Sequence, residues 1–428
     1  MLLPLLFLLT VKVAYQQTPA VDPSLLVDIF GTPPTPTRPP NQPPRLEEIT
    51  VRPTESGATF TDSNGDACQC VPYYLCDNNL NAAWTRNEST GWGVLDVRFG
   101  ANDECQESVE RCCKNVLPEP EPERPDPGKL RGCGYRNPNG LDFQITGGNG
   151  NEAQFGEFPW VVALLASNGT YVGVGVLIHP QVVLTGAHVA NKFSEDDSEE
   201  SGEYYIDNGE EGGNGEFNFP LQPGSLIARA GEWDTQTNKE RLKSQERVVD
   251  GIVIREDFNP KNLKNDMALL HLASPFELDK HINMLCLPEQ DEDFDNYRGC
   301  VANGWGKTVF GRQGRYAVIL KKVEVDMVPF AKCESQLRRT RLGNRFRLDK
   351  SFVCAGGEEG KDTCQGDGGA PLACPVGGDR YRLAGLVAWG IGCGQKDVPA
   401  VYARVALFRR WLDGVMANWG FGAEAYTA

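Results

Sequence analysis

Histidine is scarce in this chain, with four in 428 residues, and none lies at zinc-site spacing. Positive charge is short as well: 42 Lys and Arg face 58 Asp and Glu, leaving a formal charge of −16. That balance argues against general nucleic-acid binding. Long apolar runs are missing outside residues 2–14, and that run is too short to span a bilayer comfortably. It carries no basic n-region, yet its place at the N-terminus predicts a cleaved secretory signal over residues 1–15. The expectation is a secreted chain with no membrane span. Residues 195–216 hold no Lys or Arg at all, against ten Asp or Glu and many Gly and Ser. They read as a solvated surface insertion, with calcium or a basic partner as the alternative.

Cysteine, by contrast, is plentiful. Fourteen is an even number and agrees with an oxidising compartment. Six of them, Cys68, Cys70, Cys76, Cys105, Cys112 and Cys113, fall in one short segment. A module that small buries little core, so three disulfides have to staple it, and six cysteines permit about fifteen pairings. Zinc is the competing use of clustered cysteine, and secretion argues against free thiolates. Proline-rich spacers flank this module, at residues 31–44 and 117–127. The boundaries expected are 16–66 for a Pro-rich N-terminal segment, 67–114 for the module and 115–144 for a linker. A large domain over 145–420 and a tail over 421–428 follow. Asn87 and Asn168 begin glycosylation sequons.

The large domain reads as strands. Trp160–Leu165, Val182–Thr185 and Leu383–Val387 are short apolar or β-branched runs bounded by Gly, Asn and Pro. Ala406–Trp419 is the clear helix candidate, with Leu407, Trp411, Leu412 and Val415 on one face.

Three strings carry chemistry. Thr185-Gly186-Ala187-His188 contains a candidate general base. Asn265-Asp266-Met267-Ala268-Leu269-Leu270 contains a carboxylate to orient it. Gly366-Asp367-Gly368-Gly369-Ala370-Pro371 has the shape of a nucleophile loop. Their order is that of chymotrypsin-class serine proteases, which the chain resembles from Ile145 to the Trp411-Leu412 region. Gly304-Trp305-Gly306, Val387-Ala388-Trp389-Gly390 and Pro399-Ala400-Val401-Tyr402 add to the resemblance. It implies a mainly β, chymotrypsin-like double six-stranded barrel with a C-terminal helix. It also implies a serine between Asp367 and Gly369. The residue there is Gly368, which has no Oγ to attack a carbonyl, so no acyl-enzyme is expected. His188 and Asp266 are then remnants.

Other positions depart from the same pattern. Asp362 is implied to sit at the base of a pocket that selects Arg or Lys, beside Gly390. Ala400 replaces a pocket glycine, and its methyl is expected to intrude. Gly173 and Val189 stand where the family places a disulfide beside the histidine. Ile145 follows Gln144, which offers no charge to a trypsin-like activator, so the ammonium partner of Asp367 is not expected to form. Arg98 and Arg131 are the candidate cleavage sites instead, while Arg124 precedes a proline. Glu232 and Asp234, with Glu246 further on, resemble a calcium loop; solvated surface acids are the alternative. Arg338, Arg339, Arg341, Arg345 and Arg347 form either a solvated face or a docking patch for an acidic partner.

The terminal Cys112-Cys113 pair makes the small module resemble the clip domain of arthropod proteases. That resemblance implies Cys68–Cys112, Cys70–Cys105 and Cys76–Cys113. The protease resemblance implies Cys133–Cys286, Cys300–Cys374, Cys333–Cys354 and Cys364–Cys393. Together these features resemble the clip-domain serine protease homologues of insects. The family implies a secreted haemolymph protein that is not an enzyme; no cofactor is required, and a structural calcium at the Glu232 loop is the one option. It implies a role as cofactor in the prophenoloxidase cascade of melanisation and innate immunity. The implied partners are prophenoloxidase, an upstream clip-domain protease and further copies of the chain. Adhesion, or a decoy for protease inhibitors, are the alternatives.

Overall fold

The structure is a computed structural model that describes residues 59–61, 67–76, 93–96, 110–118, 131–141, 143–146, 151–193, 225–307, 316–363 and 366–427. The signal segment, the first spacer, residues 119–127 of the second, the acidic insertion, Asn87, Arg98, Cys105 and Cys364 lie outside these residues.

Six antiparallel strands close into the first barrel. They are β6 (Val161–Ala166), β7 (Tyr171–His179), β8 (Val182–Thr185), β9 (Leu226–Ala230), β10 (Gln245–Ile254) and β11 (Ala268–Leu272). Successive strand side chains point to opposite faces. Val162, Leu164 and Ala166 of β6 therefore enter the barrel's own core, with Leu177, Val183 and Leu270. Val161 and Ala163 enter a second core, with Val174, Val176, Leu184 and Leu269. Both faces of β6 are buried, which is why it reads as a continuous apolar run rather than an alternating one.

The second core joins this barrel to a second sheet. In order across it run β13 (Lys321–Val325), β12 (Cys300–Gly304), β16 (Pro371–Gly377), β17 (Arg380–Trp389), β18 (Ala400–Arg404), β15 (Phe352–Ala355) and β14 (Met327–Val328). The sequence led to six strands here. The seventh arises because one stretch, 321–328, is broken at Asp326 and supplies both edges of the sheet. The sheet thereby curls on itself, and the mainly β double-barrel fold is observed. Trp160, Trp233, Trp305 and Tyr402 are fully buried in and around the junction.

The C-terminal helix is shorter than its sequence pattern suggests. A 3₁₀ turn covers Val405–Phe408, and the α-helix covers Arg409–Asn418. Its buried face is set by Arg409, Leu412 and Met416, with Leu407, Trp411 and Val415 only partly covered. The expected tail is packed rather than free. Tyr426 is buried, donates its hydroxyl to Asp413 Oδ1 at 3.0 Å, and its carbonyl accepts the Leu287 N–H at 2.9 Å.

The small module forms a three-stranded sheet in the order β1 (Thr59–Thr61), β2 (Ala67–Pro72), β4 (Glu110–Cys113). Cys68–Cys112 and Cys76–Cys113 are bridged, while Cys70 is bonded to a cysteine outside the described residues. Its core is little more than Val71, Leu75, Cys76 and Cys113, so covalent staples carry much of its order.

This module is not held apart by its spacer. Glu110, 1% exposed, accepts from Lys239 Nζ of the large domain at 2.7 Å. Tyr74 packs against the junction core. A parallel ladder pairs β3 (Gly93–Asp96) with β5 (Phe143–Thr146), setting Val94 opposite Gln144 and Leu95 opposite Ile145. Residues 131–141, within the expected linker, also belong to the barrel body. Cys133 is bridged to Cys286, and Arg136 pairs with the fully buried Glu157, which Lys322 Nζ approaches at 2.9 Å. Gly134 has φ 85°, and a Cβ there would lie 2.3 Å from the Tyr381 carbonyl, so only glycine fits.

Removing the cation from a buried pair takes away part of what compensates the carboxylate. Lys239→Met is expected to speed hydrogen exchange at Glu110–Cys113 without changing exchange in β6 and β8. Unchanged exchange at β4 would show that the ion pair does not hold the module.

Candidate functional site

Strand β8 ends at Thr185 in the junction between the two barrels. The Thr185 hydroxyl donates to the Val174 carbonyl at 2.7 Å and ties the strand end to β7. Gly186 then opens helix α1 (Ala187–Ala190), whose second residue is His188. Asp266 comes from the turn before β11. There Asn265 takes φ 57°, and its side-chain amide donates to the Asp257 carbonyl at 2.9 Å. Asp266 is fully buried. Its Oδ1 accepts the His188 N–H at 2.8 Å, and its Oδ2 lies 2.6 Å from His188 Nδ1. A buried carboxylate needs such partners, and here they orient the ring.

The other edge of that ring faces Gly368. A Cβ at this position would lie 2.5 Å from His188 Nε2, closer than side chains approach one another. The loop is drawn tightly onto the first barrel. The Gly368 carbonyl accepts from Val174 N–H at 3.0 Å, and a Cβ on Gly369 (φ 78°) would lie 2.2 Å from Thr185 Oγ1. Gly173 and Val189 face each other, and the Val189 Cγ1 stands 3.0 Å from where a Cβ on residue 173 would be. The buried valine thus fills the space between the two positions.

Asp367 lies in the Gly304–Gly306 cradle. Its Oδ1 accepts the Gly306 N–H at 2.8 Å, and a Cβ on Gly304 or Gly306 would collide with the carboxylate. Tyr171 and Tyr316 stand beside it. Burial, and then the charge of Asp367, push both phenols above their ordinary range. Tyr171 donates its hydroxyl to the Gly366 carbonyl at 3.0 Å.

Burial pushes the Asp362 carboxyl up to about 6, with a smaller push from Asp367 and a pull back from backbone N–H groups. Its Oδ2 accepts from Gly394 N–H at 2.9 Å, while its buried Oδ1 has no hydrogen-bond partner among the described residues. The buried indole N–H of Trp389 also lacks one among them. Ala400 is buried in β18 opposite Ala355, and Gly390 is exposed. Cys300–Cys374 and Cys333–Cys354 brace the second sheet, and Cys393 is bonded to a cysteine outside the described residues.

The expected calcium set divides. Glu232 and Asp234 are buried together, but the exposed Glu246 turns to Arg229, which also holds Glu232 Oε2 at 3.1 Å. A guanidinium thus bridges two of the three expected ligands. Among the described residues no group of three or more His, Cys, Asp or Glu is found that could hold a metal ion. The sequence reading missed Glu240. It accepts the Asp234 N–H at 3.2 Å, and burial beside Glu232 and Asp234 raises its carboxyl well above the usual range. Its position in the same loop was the available signal.

Arg131 is exposed, but its carbonyl accepts from Asn283 Nδ2 at 3.0 Å, and Cys133 is pinned two residues on. Asn168 is exposed in the turn between β6 and β7, with Oδ1 accepting the Thr170 N–H at 3.0 Å.

Residues 148–219 and 223–412 match the Trypsin family, and residues 57–114 match the serine protease Clip domain PPAF-2. The chain is 45% identical over 310 residues to phenoloxidase-activating factor 2 of Galleria mellonella, spanning 69% of this chain and 92% of that protein. It is 38% identical over 363 residues to inactive CLIP domain-containing serine protease A8 of Anopheles gambiae, spanning 81% and 88%. It is 35% identical over 378 residues to inactive CLIP domain-containing serine protease A3 of Aedes aegypti, spanning 84% and 69%. The chain is a clip-domain serine protease homologue. Two of these three relatives are named as inactive, in agreement with a homologue that is not an enzyme. No helix among its described residues is long and apolar enough to cross a membrane.

The geometry of this homologue's site has consequences for stability. Asp266→Ala strands the His188 N–H and ring, and is expected to cost about 1–3 kcal/mol in denaturant unfolding. A folded carboxyl with a raised pKa binds its proton more tightly than the unfolded one. Asp362 therefore favours the folded state below pH 3.8 and loses that advantage as pH rises through about 6. Asp362→Asn is expected to raise the melting temperature at pH 8 and to bring no comparable gain near pH 4.

Proposed function

We propose that this homologue is a secreted, non-catalytic cofactor of the prophenoloxidase cascade, switched by a cut within its clip module. The observation that carries the reading is Gly368 against His188. Gly368 stands at the nucleophile position, where no acyl-enzyme can form, and the imidazole edge has closed onto the loop. The protease-like domain then serves as a binding body. The partners proposed are prophenoloxidase and an upstream clip-domain protease, in keeping with the name of the Galleria relative.

The switch rests on how the clip module docks. Arg98 follows β3 by two residues, and β3 pairs with the strand that contains Gln144 and Ile145. A cut after Arg98 makes β3 a chain end and removes the connectivity that holds the ladder. Glu110 and Lys239 remain as the anchor. Arg131 is the poorer site, because proteases need a yielding segment, and its carbonyl and the chain just after it are held.

A second reading, a decoy for protease inhibitors, has one observation in its favour. The buried Asp362 Oδ1 has no partner among the described residues, and a basic side chain would satisfy it. Tight binding of a Kunitz-type inhibitor to the intact chain would favour this reading over the first.

Cut or uncut protein is expected to show no fluorophosphonate labelling and no turnover of Arg amide substrates. Gly368→Ser should not restore either, since its Cβ meets His188 Nε2 at 2.5 Å. N-terminal sequencing of the processed chain should place the new terminus at Phe99, and Arg98→Ala should abolish the cut. With purified prophenoloxidase and its activating protease, the cut protein should raise phenoloxidase activity and the Arg98→Ala variant should not. Equal stimulation by both would sink the switch, and no stimulation by either would sink the cofactor role.

A further inference from the structure

The stretch around Cys133 forms one wall of a cavity of about 390 Å³, and no residue of the His188 site lines it. Arg131, Tyr135, Asn139, Lys280, Asn283 and Asp379 are among those that do. The walls are pinned to the barrel body. Cys133 is bridged to Cys286, the Gly134 N–H donates to the Met284 carbonyl at 2.8 Å, and the Gly134 carbonyl accepts the Tyr381 N–H at 2.7 Å. Asn283 spends its side chain on main chain, donating from Nδ2 to the Arg131 carbonyl at 3.0 Å and accepting the Met284 N–H at 2.8 Å. Asn137 Nδ2 likewise donates to the Gly156 and Lys280 carbonyls, at 2.8 and 3.0 Å. The Arg136 guanidinium is committed to Glu157 and to the Tyr381 hydroxyl. Other polar groups of the cavity are not used in this way. The guanidinium of Arg131 lies 5.2 Å from the centre of the Tyr135 ring, and that of Arg380 lies 5.3 Å from it. Arg380 turns its Nε to the Cys133 carbonyl at 3.1 Å. The Arg131 guanidinium has no hydrogen bond or ion pair among the described residues, and neither has the carboxylate of Asp379, at the tip of the β16–β17 hairpin. The Asn139 amide and the Tyr135 hydroxyl are uncommitted among them as well.

We propose that this cavity binds an acidic sugar unit, a ring that carries a carboxylate or sulfate beside free hydroxyls. A guanidinium resting on an aromatic ring keeps its N–H donors in its own plane, and their fork matches an oxyanion. Lys280 adds positive charge to the same cavity. Asp379 would repel a ligand that was anionic throughout, yet a carboxylate accepts well from hydroxyls. The fitting ligand therefore bears its charge at one point and hydroxyl donors elsewhere. The Asn139 amide and the Tyr135 hydroxyl both donate and accept, which is what sugar hydroxyls require. Leu141 and Pro159 supply an apolar wall for the C–H face of the ring. The volume stands at the lower end of small-ligand sites, about 300–1,000 Å³, and so suits a small ring rather than a folded partner. Walls held by a disulfide and by main-chain bonds need little ordering on binding. This inference does not depend on the cofactor role.

The test is calorimetric titration of the full chain with glucuronic acid, a glucose sulfate ester, glucose and cyclohexanecarboxylate at constant ionic strength. The two acidic sugars are expected to bind saturably. Glucose lacks the oxyanion and cyclohexanecarboxylate lacks the hydroxyls, so each should bind at least about tenfold more weakly. Arg131→Gln should weaken the acidic sugars about tenfold or more. Asp379→Asn should lower the preference for glucuronic acid over cyclohexanecarboxylate. Both residues are exposed, and matching thermal midpoints establish that the variants fold. A hyaluronan tetrasaccharide that binds more tightly than glucuronic acid would support a polymer as the source of the unit, and one that binds no better would support a free sugar. No saturable binding of either acidic sugar, or equal binding by parent and Arg131→Gln, would overturn the proposal. Cyclohexanecarboxylate binding as well as glucuronic acid, or a pentaglutamate peptide binding more tightly, would assign the cavity to an apolar acid or to a peptide and overturn it too.

Discussion

The alternation of side chains along β6, β7, β8 and β11 places two cores on opposite faces of one cylinder. One core fills the first barrel, and the other glues that barrel to the second sheet. Every feature of the site hangs on that double burial. His188 follows the end of β8, Asp266 precedes β11, and the 366–370 loop is hydrogen-bonded to β7 and β17. None of these positions can drift without opening one of the two cores, and interiors packed at protein density tolerate little of that. The fold therefore keeps a protease's site geometry independently of whether chemistry occurs there.

Within that frame, close backbone approach decides what the site holds. Gly304 and Gly306 let the Asp367 carboxylate sit against main chain, and Gly369 lets the loop lie on Thr185. Gly368 differs from these, because it leaves room that His188 has taken. The Asp266–His188 pair survives for a structural reason, since a fully buried carboxylate stripped of its donors would destabilise the fold. Asp362 is less well provided for, with one oxygen bonded and one not. Its raised carboxyl is the physical signature of that shortfall.

Charge organises the outside as apolar packing organises the inside. The clip module has little core of its own; a buried ion pair, a tyrosine and a parallel ladder are among the contacts that join it to the larger body. These are contacts that a single backbone cut can weaken, whereas the barrels have bridges of their own in Cys133–Cys286, Cys300–Cys374 and Cys333–Cys354.

Much of this was legible in the chain itself. The three strings around His188, Asp266 and Gly368, in their order, carried the fold and the missing nucleophile, because catalytic geometry demands those residue types at those places. The strand assignments followed from short apolar runs, and the clip pattern from cysteine spacing. What the sequence does not encode locally is pairing across distance. Glu110 with Lys239, Glu240 with Asp234, Arg229 between Glu232 and Glu246, and β3 against β5 join residues that no periodicity links. The second sheet's closure through a strand broken at Asp326 is equally invisible, since a one-residue break leaves the β-branched pattern intact. Sequence alone determined that residue 368 offers no side chain to the site, because a missing side chain is a local fact. Tertiary structure alone decided how the clip module is held and which acids find cations, because those contacts form only where the folded backbone brings distant charges together.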